Sequence, residues 1–430
     1  MRSTSSYRVM TADRVAQARM AIGSCAGESE VQIVLYRILR EGVRRSSSDE
    51  AGITPGGVLA YGDEWKEVAT VPFGRSHFGS ADAVFDVTAE TVYDLASLTK
   101  PLVTAAILMK LDVDLKAPVG PLVPELSEPA ANITWQQLLS HKSGLPAHAR
   151  FYERLLAGDR AGAPSRREAL LRMAASAVLA AKPGTKTCYS DLGYIVLGFA
   201  IERLCGERLD RLFTRLVAEP LGMNSARFID LDAEPDAAGD GSVDDGADGA
   251  DGALSRAHAA AREARIAPTE VCPYRGLVWG EVHDDNAHAG GGIFGHAGVF
   301  ATVGDVSRFA CAMVSAAAGQ EVAGFEPKTV RRFFTTRSKS DHTWRLGWQT
   351  PSLEPGASHA GSMWPADGVG HLGFTGTSIW LDPSNGRYVV LLTNRVHPSR
   401  DKSGIKEFRR VVMDAVVYRL DQRRLSRSRD

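Results

Sequence analysis

Two dense runs of strand-forming residues stand at opposite ends of this chain, and they limit its fold more than any other feature. "ITPGGVLAYGDEWKEVATVPFG", from Ile53, reads as two β-strands joined by a tight turn near Gly62-Asp63. "HLGFTGTSIWLDPSNGRYVVLLTNR", from His371, reads as two long strands around the turn Asp382-Pro383-Ser384-Asn385-Gly386. Between them, Leu95 to about Ala218 is mostly helical, with breaks at Pro118, Pro121, Pro124, "HKSGLPAH" and "AKPGTKT". Apolar residues at helical spacing mark Val31 to about Arg44, and a final helix runs from about Gly404 to Leu420. The arrangement predicts an α+β fold. Strands from both ends form one antiparallel sheet flanked by the terminal helices, and a mostly α-helical lobe is inserted.

A length of 430 residues exceeds what one core usually serves. We therefore expect one composite domain over 31–420, with an α/β lobe (31–94 and 365–420) and a helical lobe (95–364). Residues 1–30 read as an extension, poorly ordered or partly helical. Residues 421–430 read as a solvated tail. Residues 230–264 are rich in Asp, Gly and Ala and nearly free of large apolar residues, so they read as a flexible acidic insertion. Its aspartates lack the spacing and the glutamate of a calcium loop.

A net charge of −1 gives no long-range pull toward nucleic acid or an anionic membrane. Cys25, Cys188, Cys205, Cys272 and Cys311 are scattered, with no Cys-x-x-Cys pair to suggest a disulfide framework or a thiolate zinc site. The N-terminal residues lack the apolar core of a secretory signal, and no run approaches a membrane span. The expectation is a cytoplasmic protein without cofactor, its oligomeric state left open.

Candidate chemistry begins at "YDLASLTKPLVTAAILMKL", which sets Ser97 three residues ahead of Lys100 at the mouth of an apolar helix. A serine hydroxyl needs a base within hydrogen-bond reach, and residues three apart on a helix share a face. Lysine is a base only if its proton is displaced, and the apolar run "PLVTAAILM" offers the desolvation for that. Ser-x-x-Lys alone reads as a helix cap beside a surface charge. A second match, Ser399 to Lys402, lies in a loop after a strand. Further along, "TKTCYSDLGYIVLG" places Tyr189 just before a helix, where it can pass a proton, and "GHLGFTGTSIW" supplies strand-edge N–H groups for an oxyanion hole. His283, His288, His296 and His371 match no common metal-ligand spacing.

The ordered set "SLTK", "YSD" and "GHLGFTGTSIWLDP" resembles the serine β-lactamase, penicillin-binding protein and esterase superfamily, in particular its class C-like branch. "LLSHKSGLP", "GHAGVFATVGDVSRFA" and "TNRVHP" agree with it, and the likeness covers about Ile53 to Leu420. The resemblance implies that Ser97 is the acylated nucleophile, Lys100 its activator and Tyr189 the general base. His371 takes the third-motif position. The N–H groups of Ser97 and Phe374 match the oxyanion pair. Asp191, His371, Gly373 and Arg395 fall at substrate-binding positions.

Two positions depart from the pattern. Asp191 stands where Asn is usual; if charged, it pairs with Lys100 and raises that lysine's pKa. Leu372 stands where a hydroxyl residue usually binds a carboxylate. The implied function is a serine hydrolase acting through an acyl-enzyme on a small-molecule ester or peptide-like amide, with weak recognition of a β-lactam carboxylate. The alternative is a catalytically silent module that binds a ligand or peptidoglycan fragment. A cell-wall D,D-peptidase is a third reading, and it requires export.

Overall fold

The computed structural model describes residues 28–43, 52–78, 84–233, 250–337, 343–354 and 356–427. Five antiparallel strands make the main sheet: β1 (Gly56–Asp63), β2 (Lys66–Gly74), β3 (Val369–Leu372), β4 (Ser378–Asp382) and β5 (Arg387–Thr393). Their order is β2-β1-β5-β4-β3, so the two ends of the chain meet where β1 lies against β5. The join is in register, with Val58 opposite Leu392 and Leu59 opposite Leu391.

Strand periodicity divides these residues between two cores. Leu59, Tyr61, Val389 and Leu391 face one cluster with Leu35, Leu39, Phe408, Val412 and Val416. Those partners come from the terminal helices α1 (Glu28–Val43) and α4 (Ile405–Arg427). Val58, Ala60, Val390 and Leu392 face the larger core, which contains α2 (Asp191–Cys205) and α3 (Val303–Ala318). A capping box starts α3, in which Thr302 and Asp305 each accept the other's backbone N–H. Leu59 and Leu391 are both buried, and truncating either to alanine costs about 2–5 kcal/mol.

Local detail departs from expectation at three places. The first hairpin turns at Glu64 and Trp65, with φ of 53° and 62°, rather than at Gly62-Asp63. Two consecutive positive φ values suit the twist of the strands, and the Trp65 N–H donates to the Gly386 carbonyl of the second hairpin at 3.0 Å. The tail is also corrected: α4 runs on to Arg427. Arg424 reaches Asp63 at 2.6 Å, and Asp421 pairs with Arg387 at 2.7 Å. These partners lie 361 and 34 residues apart in the chain, so local charge could not reveal them.

The third difference concerns the acidic stretch. Residues 234–249 lie outside the described residues, but Ala250–Glu263 is helical rather than flexible. Alanine and arginine are strong helix formers, and the helix docks by burying Ala261 and setting His258 Nε2 3.0 Å from the Leu277 carbonyl. Residues 1–27 of the N-terminal extension also lie outside the described residues. Among the described residues, no helix is long and apolar enough to cross a membrane.

Candidate active site

Ser97 sits in a tight turn rather than at the start of a regular α-helix. A 3₁₀ turn covers Ala96–Leu98, a π-helical stretch covers Lys100–Ala105, and only then does an α-helix follow, Ala106–Lys110. Pro101 falls in the first turn of the π stretch, where its missing N–H costs no internal bond. Ala96 adopts φ 48°, a left-handed conformation that a residue with a Cβ seldom takes. Buried Asp94 holds that strained residue by accepting the Ala96 N–H at 2.7 Å. The segment is pinned further to a glycine-rich loop. Leu95 N–H donates to Val299 O at 2.9 Å and Thr104 Oγ1 to Gly295 O at 2.7 Å. Gly295 is required there, because a Cβ would lie 2.5 Å from the Tyr194 carbonyl.

Lys100 is fully buried, and all three of its donors are engaged. Its Nζ lies 3.0 Å from Ser97 Oγ, 2.7 Å from Asp191 Oδ1 and 3.1 Å from His296 O. Burial pulls its pKa down, but the Asp191 carboxylate and the Tyr189 phenol outweigh burial and leave it above the ordinary lysine value. Burial likewise opposes ionisation of Asp191, yet Lys100 and His148 hold its pKa well below the carboxylate range. Asp191 therefore stands as a charged partner of Lys100, the first residue of α2, next to the N-cap Ser190.

Tyr189 completes the group. Its ring lies over the lysine, with Lys100 Nζ 4.8 Å from the ring centroid. Burial raises the phenol pKa, and Lys100 draws it partly back. The sequence motifs thus meet: serine, lysine, tyrosine and the substituted aspartate share one cluster, although Tyr189 and Lys100 are far apart in the chain.

The third motif approaches from β3. Thr375 Oγ1 donates to Asp94 O at 2.8 Å, and Thr377 Oγ1 donates to Leu95 O at 3.0 Å. These bonds tie the β3–β4 turn to the residues just before Ser97. Among the described residues, the N–H groups of Ser97 and Phe374 have no protein acceptor, and that leaves both available to an oxyanion. Gly373 has no space for a side chain, since a Cβ would collide with Thr377 Oγ1 and the Leu95 carbonyl.

His371 is buried, and its Nδ1 lies 2.9 Å from the Leu372 carbonyl. A carbonyl only accepts, so Nδ1 carries the proton and Nε2 presents a lone pair. Burial and nearby Lys100 push its pKa down to about 3. His371 is accordingly neutral, not a cation awaiting a carboxylate. Arg395 is occupied as well. Its guanidinium bonds to the carbonyls of Phe374, Arg400 and Lys402 and lies 4.6 Å from the Phe374 ring centroid.

Several neighbours escaped sequence reading. His141, at φ 56°, packs its ring 4.6 Å from Tyr189 and 4.4 Å from Trp344. Trp344 also lies 5.3 Å from Tyr189 and 5.7 Å from His371, forming an aromatic wall beside the phenol. "LLSHKSGLP" marked His141's segment but not its role; nothing in the sequence marked Trp344. His148 Nδ1 lies 3.8 Å from Asp191, and His296 Nε2 lies 3.0 Å from Asp284. The second Ser-x-x-Lys does not converge: Ser399 Oγ accepts from Asp401 N–H, while Lys402 Nζ donates to His397 O at 2.7 Å. The other histidines disperse too, with His283 on Glu270 and His288 on Glu281. Among the described residues, no three metal-ligating side chains come together.

A fully buried lysine beside a serine on a strained turn, in a sheet closed by both chain ends, belongs to serine hydrolases of the β-lactamase fold, and this chain is one of them. The Beta-lactamase family model matches residues 35–413, and the chain belongs to that family. A protein of Salmonella agona (strain SL483), named as a D-alanyl-D-alanine carboxypeptidase, is 30% identical over 322 residues, 72% of this chain and 71% of that one. Two solved structures share the fold at 20% identity. The octameric penicillin-binding protein homologue from Pyrococcus abyssi has a TM-score of 0.60 and covers 90% of this chain and 77% of its own. EstCE1, a hydrolase with promiscuous acyltransferase activity, has a TM-score of 0.62 and covers 93% and 99%. The alternative of a silent binding module finds no support among them.

Proposed function

We propose that Ser97 is acylated by a neutral ester or peptide-like amide and that water then releases the acid. The observation that carries this reading is the convergence of Lys100 Nζ, 3.0 Å from Ser97 Oγ, with the Tyr189 ring, whose centroid lies 4.8 Å from the same Nζ. Asp191 keeps Lys100 cationic, so Lys100 acts by electrostatics. It stabilises charge on the Ser97 oxygen and stabilises the phenolate form of Tyr189, and it is that phenolate which takes the serine proton. The N–H groups of Ser97 and Phe374 hold the tetrahedral oxyanion. Collapse expels the alcohol or amine, which recovers a proton from Tyr189. Water attacks the acyl-enzyme by the same route. The Tyr-Ser-Asp and His-Leu-Gly motifs support a reading of the chain as a member of the class C-like branch.

The substrate preference rests on charge. A β-lactam or a peptide with a free C-terminus presents a carboxylate, and binding it needs an available cation. Asp191 neutralises Lys100, His371 is uncharged, and three carbonyls engage Arg395. D-alanyl-D-alanine carboxypeptidase chemistry is the second reading, favoured by the names of the relatives.

The test is hydrolysis of p-nitrophenyl acetate, a D-alanyl-D-alanine peptide and a fluorescent penicillin, each by wild type and Ser97→Ala. Intact mass spectrometry reports the acyl adduct. Acetate turnover and an adduct, both abolished by Ser97→Ala, support the proposal. Faster turnover of the peptide selects the second reading, and turnover surviving in Ser97→Ala refutes both.

A further inference from the structure

Buried His283 links the two segments that carry the proposed oxyanion hole, through Asp94 on one side and the Phe374 ring on the other. Its backbone N–H donates to Asp94 Oδ2 at 2.7 Å, while Asp94 Oδ1 holds the N–H of strained Ala96 at 2.7 Å. That arrangement sets the direction of the next N–H, which is Ser97's. On the other side, the His283 ring stacks on the Phe374 side chain, with centroids 5.7 Å apart and planes inclined at 27°. Phe374 is 51% exposed, so its contacts are few, and His283 supplies one face of them. The imidazole is itself anchored. Nε2–H donates to Glu270 Oε2 at 2.9 Å, and Arg400 grips the same carboxylate at 2.7 Å. Arg400 also pairs with Asp285 at 3.0 Å, and Asp285 pairs with Arg275 at 2.9 Å. This ion network ends on the residue that contacts Asp94 on one side and the Phe374 ring on the other.

We propose that His283 is a positioning residue that fixes the Ser97 and Phe374 N–H groups relative to each other, so that both meet the developing oxyanion. The inference rests on the acyl-serine reading. Oxyanion donors act only when aimed at the place where charge develops, so a small displacement weakens the transition state without weakening substrate binding.

The experiment compares His283→Ala, Phe374→Ala and the double variant on p-nitrophenyl acetate. A serine-directed boronic acid serves as a reversible transition-state analogue. We expect kcat to fall about 10- to 100-fold in His283→Ala, as for a misaligned oxyanion donor, with KM within about twofold. Boronate affinity should fall by the same factor as kcat/KM. The double variant should be no worse than the poorer single variant, because both lose one shared contact. An unchanged kcat, additive losses, or a kcat loss without loss of boronate affinity overturns the inference. If His283→Ala does not fold, Phe374→Ala decides by the same boronate comparison, since it keeps the N–H and loses the stacked ring. Ser97→Ala is assayed alongside. Its retained turnover would overturn the acyl-serine reading itself, whereas its inactivity beside an unaffected His283→Ala overturns only the inference.

Discussion

Asp191→Asn isolates the most consequential departure from the family pattern. The carboxylate lies 2.7 Å from Lys100 Nζ, and His148 is its second partner. At an effective dielectric of about 20, that separation gives a Coulomb energy of roughly 6 kcal/mol, an upper bound before desolvation is counted. An opposite charge at such range usually moves a pKa by about 1–3 units, or about 1.4–4 kcal/mol. Without the carboxylate, burial acts on Lys100 with less opposition and its pKa falls. The pKa of Tyr189 falls too, because Asp191 contributes to raising it. Both shifts make a proton acceptor available at lower pH. The rising, acid-side limb of kcat/KM for p-nitrophenyl acetate, followed between about pH 6 and about pH 10, should therefore move down by at least about 1 unit. Stability moves the opposite way. Asp191's depressed pKa contributes stability above the unfolded carboxylate value and loses it as pH falls. Lys100's raised pKa contributes below the unfolded lysine value and loses it as pH rises. Asp191→Asn should thus lower stability across the neutral range, by about 3 kcal/mol if it behaves as a broken buried pair. A limb that stays within about 0.3 units of wild type would refute the electrostatic account of Lys100 and Tyr189.

Tyr189→Phe removes the proton acceptor but keeps the ring against His141 and Trp344. Its kcat should fall about 10²- to 10⁴-fold while the melting temperature hardly changes, and steady-state kinetics with calorimetry checks both. Asp94→Asn keeps the shape but cannot accept from both Ala96 and His283; denaturant unfolding should show a loss of about 1–3 kcal/mol, with activity falling alongside. Gly373→Ala forces a Cβ onto Thr377 and the Leu95 carbonyl, so acetate turnover should drop sharply in protein that still unfolds cooperatively. Arg395→Lys should leave KM for a neutral ester within about twofold, because its guanidinium serves backbone carbonyls; a large KM increase, measured by initial rates, would reinstate it as a substrate contact.

Sequence alone determined what a local pattern can encode. Dense apolar runs in Val58–Tyr61 and Tyr388–Leu392 specified strands, and the order of Ser97, Lys100, Tyr189 and His371 specified the motif set. Local rules also fixed the start of α2, because Ser190 accepts the Gly193 N–H whatever else the chain does. They misread the first hairpin turn, where Glu64 and Trp65 take positive φ because the second hairpin holds Trp65 in place. They misread the basic tail for the same reason, since Arg424 finds Asp63 only after the sheet closes.

The tertiary structure decided charge and direction. Burial makes His371 neutral, a property that no neighbour in the sequence reveals, and closure against α2 makes Lys100 a cation by bringing Asp191 to it. Three backbone carbonyls claim Arg395, which the family resemblance put at a substrate-binding position. Trp344 and His283 carry no motif at all; each acquires its place from segments distant in the chain. The physical reason is common to all of them: residue type and spacing encode what a segment can do, whereas a protonation state or an aimed N–H depends on desolvation and partners that exist only once the chain has folded.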